Sequence, residues 1–139
     1  MGRIGQKIAK IAKSLGMIIH YHNRSKLSPE KEEGATYHDS LKNLLSVSDV
    51  LSICCPASKE TIDLINKDAI EHLPKGAVVT NVARGDIVDD EALIDALDRR
   101  KVYAVGLDVY KGEPNLNPGY LKHKSAFILP HLGLSLIHI

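Results

Sequence analysis

The sequence predicts an α/β protein built on a parallel sheet. Three observations carry that expectation. Segments with apolar residues at helical spacing alternate with short apolar runs of strand length. The helical segments carry their own start and stop residues (Asn, Asp, Gly and Pro), so each stands as a separate element. The chain also opens on Gly2-Arg3-Ile4-Gly5, two glycines that run directly into an amphipathic stretch.

From Ile4 to Leu15, residues Ile4, Ile8, Ile11, Ala12 and Leu15 fall on one helix face, and Gly16 supplies a C-cap. Met17 to Tyr21 reads as a short buried strand. The polar stretch from Ser25 to Gly34, with Pro29 inside it, reads as a loop or a weak helical turn. Asp39 can cap a helix through Leu45, and the apolar run from Asp49 to Cys55 gives the next strand. Asn66 can cap a short helix that Pro74 ends. Ala77 to Asn81 is a strand. Asp89 starts a helix through Arg100, where Asp89, Asp90 and Glu91 meet the positive end of the helix dipole. Val102 to Val109 forms a strand, and Phe127 to Leu129 a last short one. With no internal repeat, low-complexity segment or linker, a single domain is expected.

Composition removes several function classes. A net charge of +1 leaves no basic footprint for nucleic acid. No run approaches the roughly 20 apolar residues that span a bilayer, so no membrane partner is expected. The two cysteines, Cys54 and Cys55, are adjacent; neighbours on a strand point to opposite faces, which argues against a disulfide framework and for a reducing, cytoplasmic compartment. They read as buried small hydrophobes. His20 and His22 share a strand face but have no third ligand in the pattern, so no metal site is expected. His38, His72 and His123 lie in polar surroundings without a matching partner.

Gly2, Arg3, Ile4 and Gly5 match the second half of a G-x-G-x-x-G dinucleotide fingerprint. Such glycines let backbone approach a pyrophosphate, which the amides and dipole of the following helix then hold. The first glycine would fall one residue before Met1, and the strand feeding the turn before that. About 20 residues on, an NAD site places an acid on the ribose diol. Here the stretch is "YHNRSK", with Asn23 at the acid position, followed by Arg24 and Ser25. A guanidinium and a hydroxyl suit a 2′-phosphate, which favours NADP(H) over NAD(H).

"TNVARGDIVDDEALIDAL", "GLDVYKGEP" and "ILPHLG" then follow in order. Together they resemble the NAD(P)-binding domain of the D-isomer-specific 2-hydroxyacid dehydrogenases, over residues 2–133. Within that family, "HNRS" and Cys55-Pro56 resemble the glyoxylate/hydroxypyruvate reductase branch. The resemblance implies a Rossmann-like, doubly wound parallel sheet that lacks its first strand, with the substrate domain absent. It implies that Arg84 holds the substrate carboxylate, that His131 is the general acid/base and that Glu113 pairs with that histidine. It also places Asp108 near the nicotinamide carboxamide, with Cys55, Pro56, Val82, Ala83 and Gly133 lining the cofactor beside Arg84 and His131. These residue types suit the chemistry. Reducing a 2-keto acid needs a cation for the carboxylate, a proton donor near neutral pH, and a carboxylate that orients the donor and favours its charged form.

The expected function is hydride transfer between NAD(P)H and a small 2-keto acid, glyoxylate or hydroxypyruvate first, in a protein that is a homodimer when full length. The alternative is an NAD(H)-sensing binding protein of the corepressor type. Formate dehydrogenases resemble the family but place Gln where this chain has Pro130. Residues 1–133 are expected to be a partial cofactor domain, with little catalysis by itself, and Met1 the internal methionine of a "GMGRIG" turn. "LSLIHI" at 134–139 departs from the family and matches an in-frame sequencing adaptor, so a non-native tail is expected there.

Overall fold

The computed structural model describes residues 1–133; the expected tail at 134–139 lies outside the described residues. Helix α1 (Arg3–Ser14) begins at Gly2, and its end closes as the sequence predicts. Gly16 takes φ 84°, its amide donates to the Lys13 carbonyl (3.0 Å) and the Met17 amide to the Ala12 carbonyl (3.1 Å). These are the paired bonds of a Schellman cap. Strand β1 (His20–His22) is shorter than the expected Met17–Tyr21 run. Met17 and Ile18 are 41% and 83% exposed, and among the described residues no strand pairs with them. Pairing begins only where β2 (Thr36–His38) runs parallel to β1, with His20 opposite Thr36. Strand β2 has no counterpart among the expected elements: three residues give no measurable periodicity.

Between β1 and β2, the polar stretch forms a single turn of helix, α2 (Pro29–Glu32). Helix α3 (Leu41–Leu45) is capped by Ser40, whose Oγ accepts the Asn43 amide at 3.2 Å. The expected cap, Asp39, accepts from the Asn43 side chain instead (3.1 Å). Strand β3 (Val50–Ile53) follows, then α4 (Lys67–His72), β4 (Ala77–Asn81), α5 (Asp90–Asp98), β5 (Val102–Leu107) and β6 (Ala126–Ile128). Asn66 and Asp89 cap α4 and α5 as their positions predict, accepting the Ala69 and Ala92 amides at 3.0 and 3.2 Å.

All the described strand pairings are parallel, in a four-stranded sheet β3-β4-β5-β6 and a separate pair β1-β2. This is the Rossmann-like α/β arrangement the sequence predicts. Leu51, Ile53, Val79, Val105 and Leu107 point from the large sheet into the core, where Leu45, Ile70, Leu93, Ala96 and Leu97 of α3, α4 and α5 meet them. Alternate residues such as Val50 and Phe127 are exposed. Among the described residues no helix is long and apolar enough to cross a membrane. Because the strands run the same way, the loops after β3, β4, β5 and β6 emerge along one edge. That edge is where ligands bind in open α/β sheets.

Leu93 is fully buried and Ile4 is 62% exposed, although both lie on helices. Leu93→Ala is expected to lower unfolding free energy by about 2–5 kcal/mol in urea titrations, through loss of transfer energy plus a cavity. Ile4→Ala should change it by no more than about 0.5 kcal/mol.

Candidate active site

The loop after β4 is shaped by Asn81, which is 1% exposed. Its Nδ2 donates to the Arg84 carbonyl (2.8 Å) and its Oδ1 accepts the Ala83 amide (3.0 Å). That curl turns Arg84 outward: its guanidinium is exposed and donates to the Ala83 carbonyl at 2.6 Å. Immediately after it, Gly85 packs against the chain leaving β5. A Cβ on Gly85 would lie 2.0 Å from the Tyr110 carbonyl carbon and 2.4 Å from the Lys111 nitrogen. Only glycine permits this approach. Asn81 through its side chain and Gly85 through its missing Cβ shape this loop, which the N-x-x-R-G spacing does not display.

The chain leaving β5 carries Glu113. Its Oε1 accepts the Tyr110 amide (3.1 Å), and its Oε2 accepts Nδ1 of His131 at 2.6 Å. The imidazole reaches across from the segment after β6. Burial alone would raise the Glu113 carboxyl, yet it lies below the ordinary range. The bonds from His131 and the Tyr110 amide, with the positive charges of His131 and Arg84, outweigh that burial. Arg84 is thus within electrostatic reach of the pair without bonding to it. His131 itself has φ 56°, a left-handed conformation uncommon for a residue with a side chain.

Asp108 directly follows β5, 8% exposed, and its own amide donates to the Asn81 carbonyl (3.0 Å). Its two carboxylate oxygens each accept one amide, from Leu132 and Gly133, both at 2.7 Å.

The residues expected to hold a dinucleotide lie along the same edge. Among the described residues no side chain caps α1, and its first turn has no acidic group. The amides of Arg3, Ile4 and Gly5 therefore keep their donors for another partner. Gly5 is buried against Met1 and Cys54, which brings the start of α1 onto the end of β3. Cys54 and Cys55 are both partly exposed rather than buried, although Cys55 packs on the core. Pro56 leads into a loop that Thr61 closes by donating to the Pro56 carbonyl (3.0 Å). In that loop the Glu60 carboxyl is lowered, first by the Ser58 hydroxyl and also by the positive charge of Arg24. Asn23 directly follows β1, and Arg24 and Ser25 form an exposed bend facing that loop. Open amides, a tightly packed glycine and a bend without a carboxylate fit a dinucleotide, including one with an added phosphate. Val82 and Ala83 lie on the Asn81 loop, Val82 exposed.

The histidines outside this edge also differ from expectation. His38, read as unpartnered, has Nε2 2.9 Å from Nδ1 of His20, and its carbonyl lies 2.8 Å from Nδ1 of His22. Parallel register across β1 and β2 brings them together, which no sequence pattern displays. His72 and His123 approach Asp68 (3.7 Å) and Asp98 (3.4 Å).

A family model described as D-isomer specific 2-hydroxyacid dehydrogenase, NAD binding domain, matches residues 1–133. Glycerate dehydrogenase of Hyphomicrobium methylovorum is 45% identical over 134 residues, covering 95% of this chain and 42% of that protein. The crystal structure of a glyoxylate reductase from Paecilomyes thermophila superposes with TM-score 0.92 at 44% identity, covering 96% of this chain and 40% of that one. An NADPH-dependent glyoxylate/hydroxypyruvate reductase from Sinorhizobium meliloti, in complex with NADP and malonate, gives TM-score 0.89 at 34% identity, with 94% and 40% covered. The chain spans about two fifths of the length of these relatives.

The lowered Glu113 carboxyl has a stability consequence with a definite sign. A carboxyl held below its unfolded value, about 4.3, stabilises the fold above that pH and loses the contribution as pH falls through the folded value. Glu113→Gln removes this term. Urea titrations are expected to show wild type more stable than the variant near pH 5, with the gap closing toward pH 3; a gap that widens on acidification contradicts the assignment.

Proposed function

The chain belongs to the D-isomer-specific 2-hydroxyacid dehydrogenases, matching their NAD-binding domain over residues 1–133, and on that premise we propose that the protein carrying it transfers a hydride between NAD(P)H and a small 2-keto acid. The observation that carries this reading is the 2.6 Å bond from His131 Nδ1 to Glu113 Oε2 at the ligand-binding edge of the sheet.

In this reading both ring nitrogens have work. Glu113 fixes a proton on Nδ1, so Nε2 is the nitrogen that exchanges a proton with the substrate. Arg84 commits one nitrogen to the Ala83 carbonyl and keeps further donors for a carboxylate, whose planar geometry a guanidinium matches. With the acid anchored there, the keto carbon is polarised and His131 Nε2 protonates its oxygen. In the oxidative direction neutral Nε2 takes the hydroxyl proton back. A bound nicotinamide supplies or receives the hydride.

Gly2, Arg3, Ile4 and Gly5 hold the pyrophosphate in this reading, and Cys55, Pro56, Val82, Ala83 and Gly133 line the nucleotide. Asn23 in place of a carboxylate, with Arg24 and Ser25 after it, favours NADP(H); the Sinorhizobium relative, NADPH-dependent, supports the same preference. Glyoxylate and hydroxypyruvate are the substrates proposed. Reducing hydroxypyruvate gives glycerate, the acid named for the Hyphomicrobium relative. Residues 1–133 would serve as the cofactor domain of a cytoplasmic homodimer.

Two measurements test this. Oxidation of NADPH by the protein carrying this chain is expected with glyoxylate or hydroxypyruvate, and His131→Asn should lower kcat by about 100-fold or more. Nucleotide binding without turnover on any 2-keto acid would favour the sensing role instead. Arg24→Ala is expected to cut kcat/KM for NADPH by about 10- to 100-fold while sparing NADH, as loss of a charged phosphate contact predicts. An unchanged cofactor preference would remove Arg24 from the phosphate site.

A further inference from the structure

We propose that Asp108 is a positioning residue that sets the His131 ring through the backbone of the loop carrying it. The inference rests on the functional reading above. His131 occupies a left-handed backbone conformation, φ 56°, which persists in a residue with a side chain only when its surroundings impose it. The last ladder bond before it runs from the Leu129 amide to the Leu107 carbonyl (2.9 Å), after which the chain turns away from β5. What holds the turn is Asp108. One oxygen accepts the amide of Leu132 and the other that of Gly133, both at 2.7 Å, the short distances of charge-assisted bonds. The two residues after His131 are therefore clamped to the end of β5.

The clamp has a fixed base. Asp108 is nearly buried and its amide is tied to the Asn81 carbonyl on β4 (3.0 Å), so its carboxylate cannot follow a drifting loop. The loop is fitted to it in turn: a Cβ on Gly133 would stand 2.8 Å from Asp108 Oδ2. Two carboxylates thus converge on one histidine from different positions along the chain leaving β5. Glu113 holds the ring at Nδ1 and Asp108 holds the main chain that aims the ring. Each oxygen already accepts one loop amide, so the clamp is in place in the chain without a bound nucleotide.

Asp108→Asn and Gly133→Ala test this from opposite sides, since Asn must turn an amino group toward one loop amide and Ala pushes the loop off an intact carboxylate. By NMR on the chain itself, hydrogen exchange at the two clamped amides, those of positions 132 and 133, is expected to quicken about 10-fold or more in both variants, with β4 and β5 amides unchanged as evidence of folding. The downfield Nδ1 proton of His131, produced by the bond to Glu113, should weaken or disappear. In the protein carrying this chain, kcat of Asp108→Asn should fall about 10- to 100-fold, with KM for the acid held within about twofold and kcat falling by a larger factor than cofactor KM rises. Unchanged exchange and an unchanged Nδ1 proton in Asp108→Asn would overturn the proposal, as would a loss of activity confined to KM for the cofactor. If wild type turns over no 2-keto acid, the functional reading fails, and the exchange and Nδ1 signals still decide whether Asp108 positions the ring.

Discussion

The main chain at Tyr110 and Lys111 runs against Gly85 with no room for a side chain between them, since a Cβ would sit 2.0 Å from the Tyr110 carbonyl carbon. Two loops leaving neighbouring strands therefore touch as bare backbone. Arg84 lies one residue before that contact, and Glu113 folds back onto the Tyr110 amide just after it. A guanidinium and a carboxylate from separate strands are brought into electrostatic reach by packing alone. The parallel pairing of β4, β5 and β6 does the rest, because it delivers all three loops to one edge in sequence order. Lose the close approach and the strands remain, but the polar groups at their ends no longer share a neighbourhood.

The hydrophobic core explains why this edge is firm. Val79, Leu93, Ala96 and Val105 are essentially buried, and the helices between β2 and β5 cover one face of the sheet. The other face is more open, with Val50 and Phe127 exposed, although parallel sheets are ordinarily covered on both sides. Rigidity at the ligand edge thus comes from one packed layer plus the polar bonds of Asn81, Asp108 and Glu113, not from burial on both sides.

Features that are legible in the sequence have local causes. The strand from Ala77 to Asn81, the caps at Asn66 and Asp89, and the turn at Gly16 each depend on residues within a few positions. Features that escape it depend on a neighbour remote in the chain. Met17 and Ile18 look like strand interior but pair with no strand among the described residues, whereas Thr36 to His38 looks like loop and pairs with β1. The site follows the same rule. Arg84, Glu113 and His131 stand out through ordered motifs, and the structure brings Glu113 and His131 into contact across 18 residues. The reach of Asp108 to two amides some 24 and 25 residues away has no signature in spacing or residue type.

Helix α1 begins without a side-chain cap among the described residues, and that omission couples two equilibria. A helix usually supplies its own acceptor at the start, which fixes its stability whatever the solution contains. Here the first-turn amides have no side-chain acceptor among the described residues. An anion that engages them binds the folded helix and finds nothing equivalent in the denatured ensemble, so mass action draws the chain toward the folded state as ligand accumulates. Under the proposed function that anion is the nucleotide pyrophosphate. The melting temperature of such a domain is then a property of its surroundings as much as of its sequence.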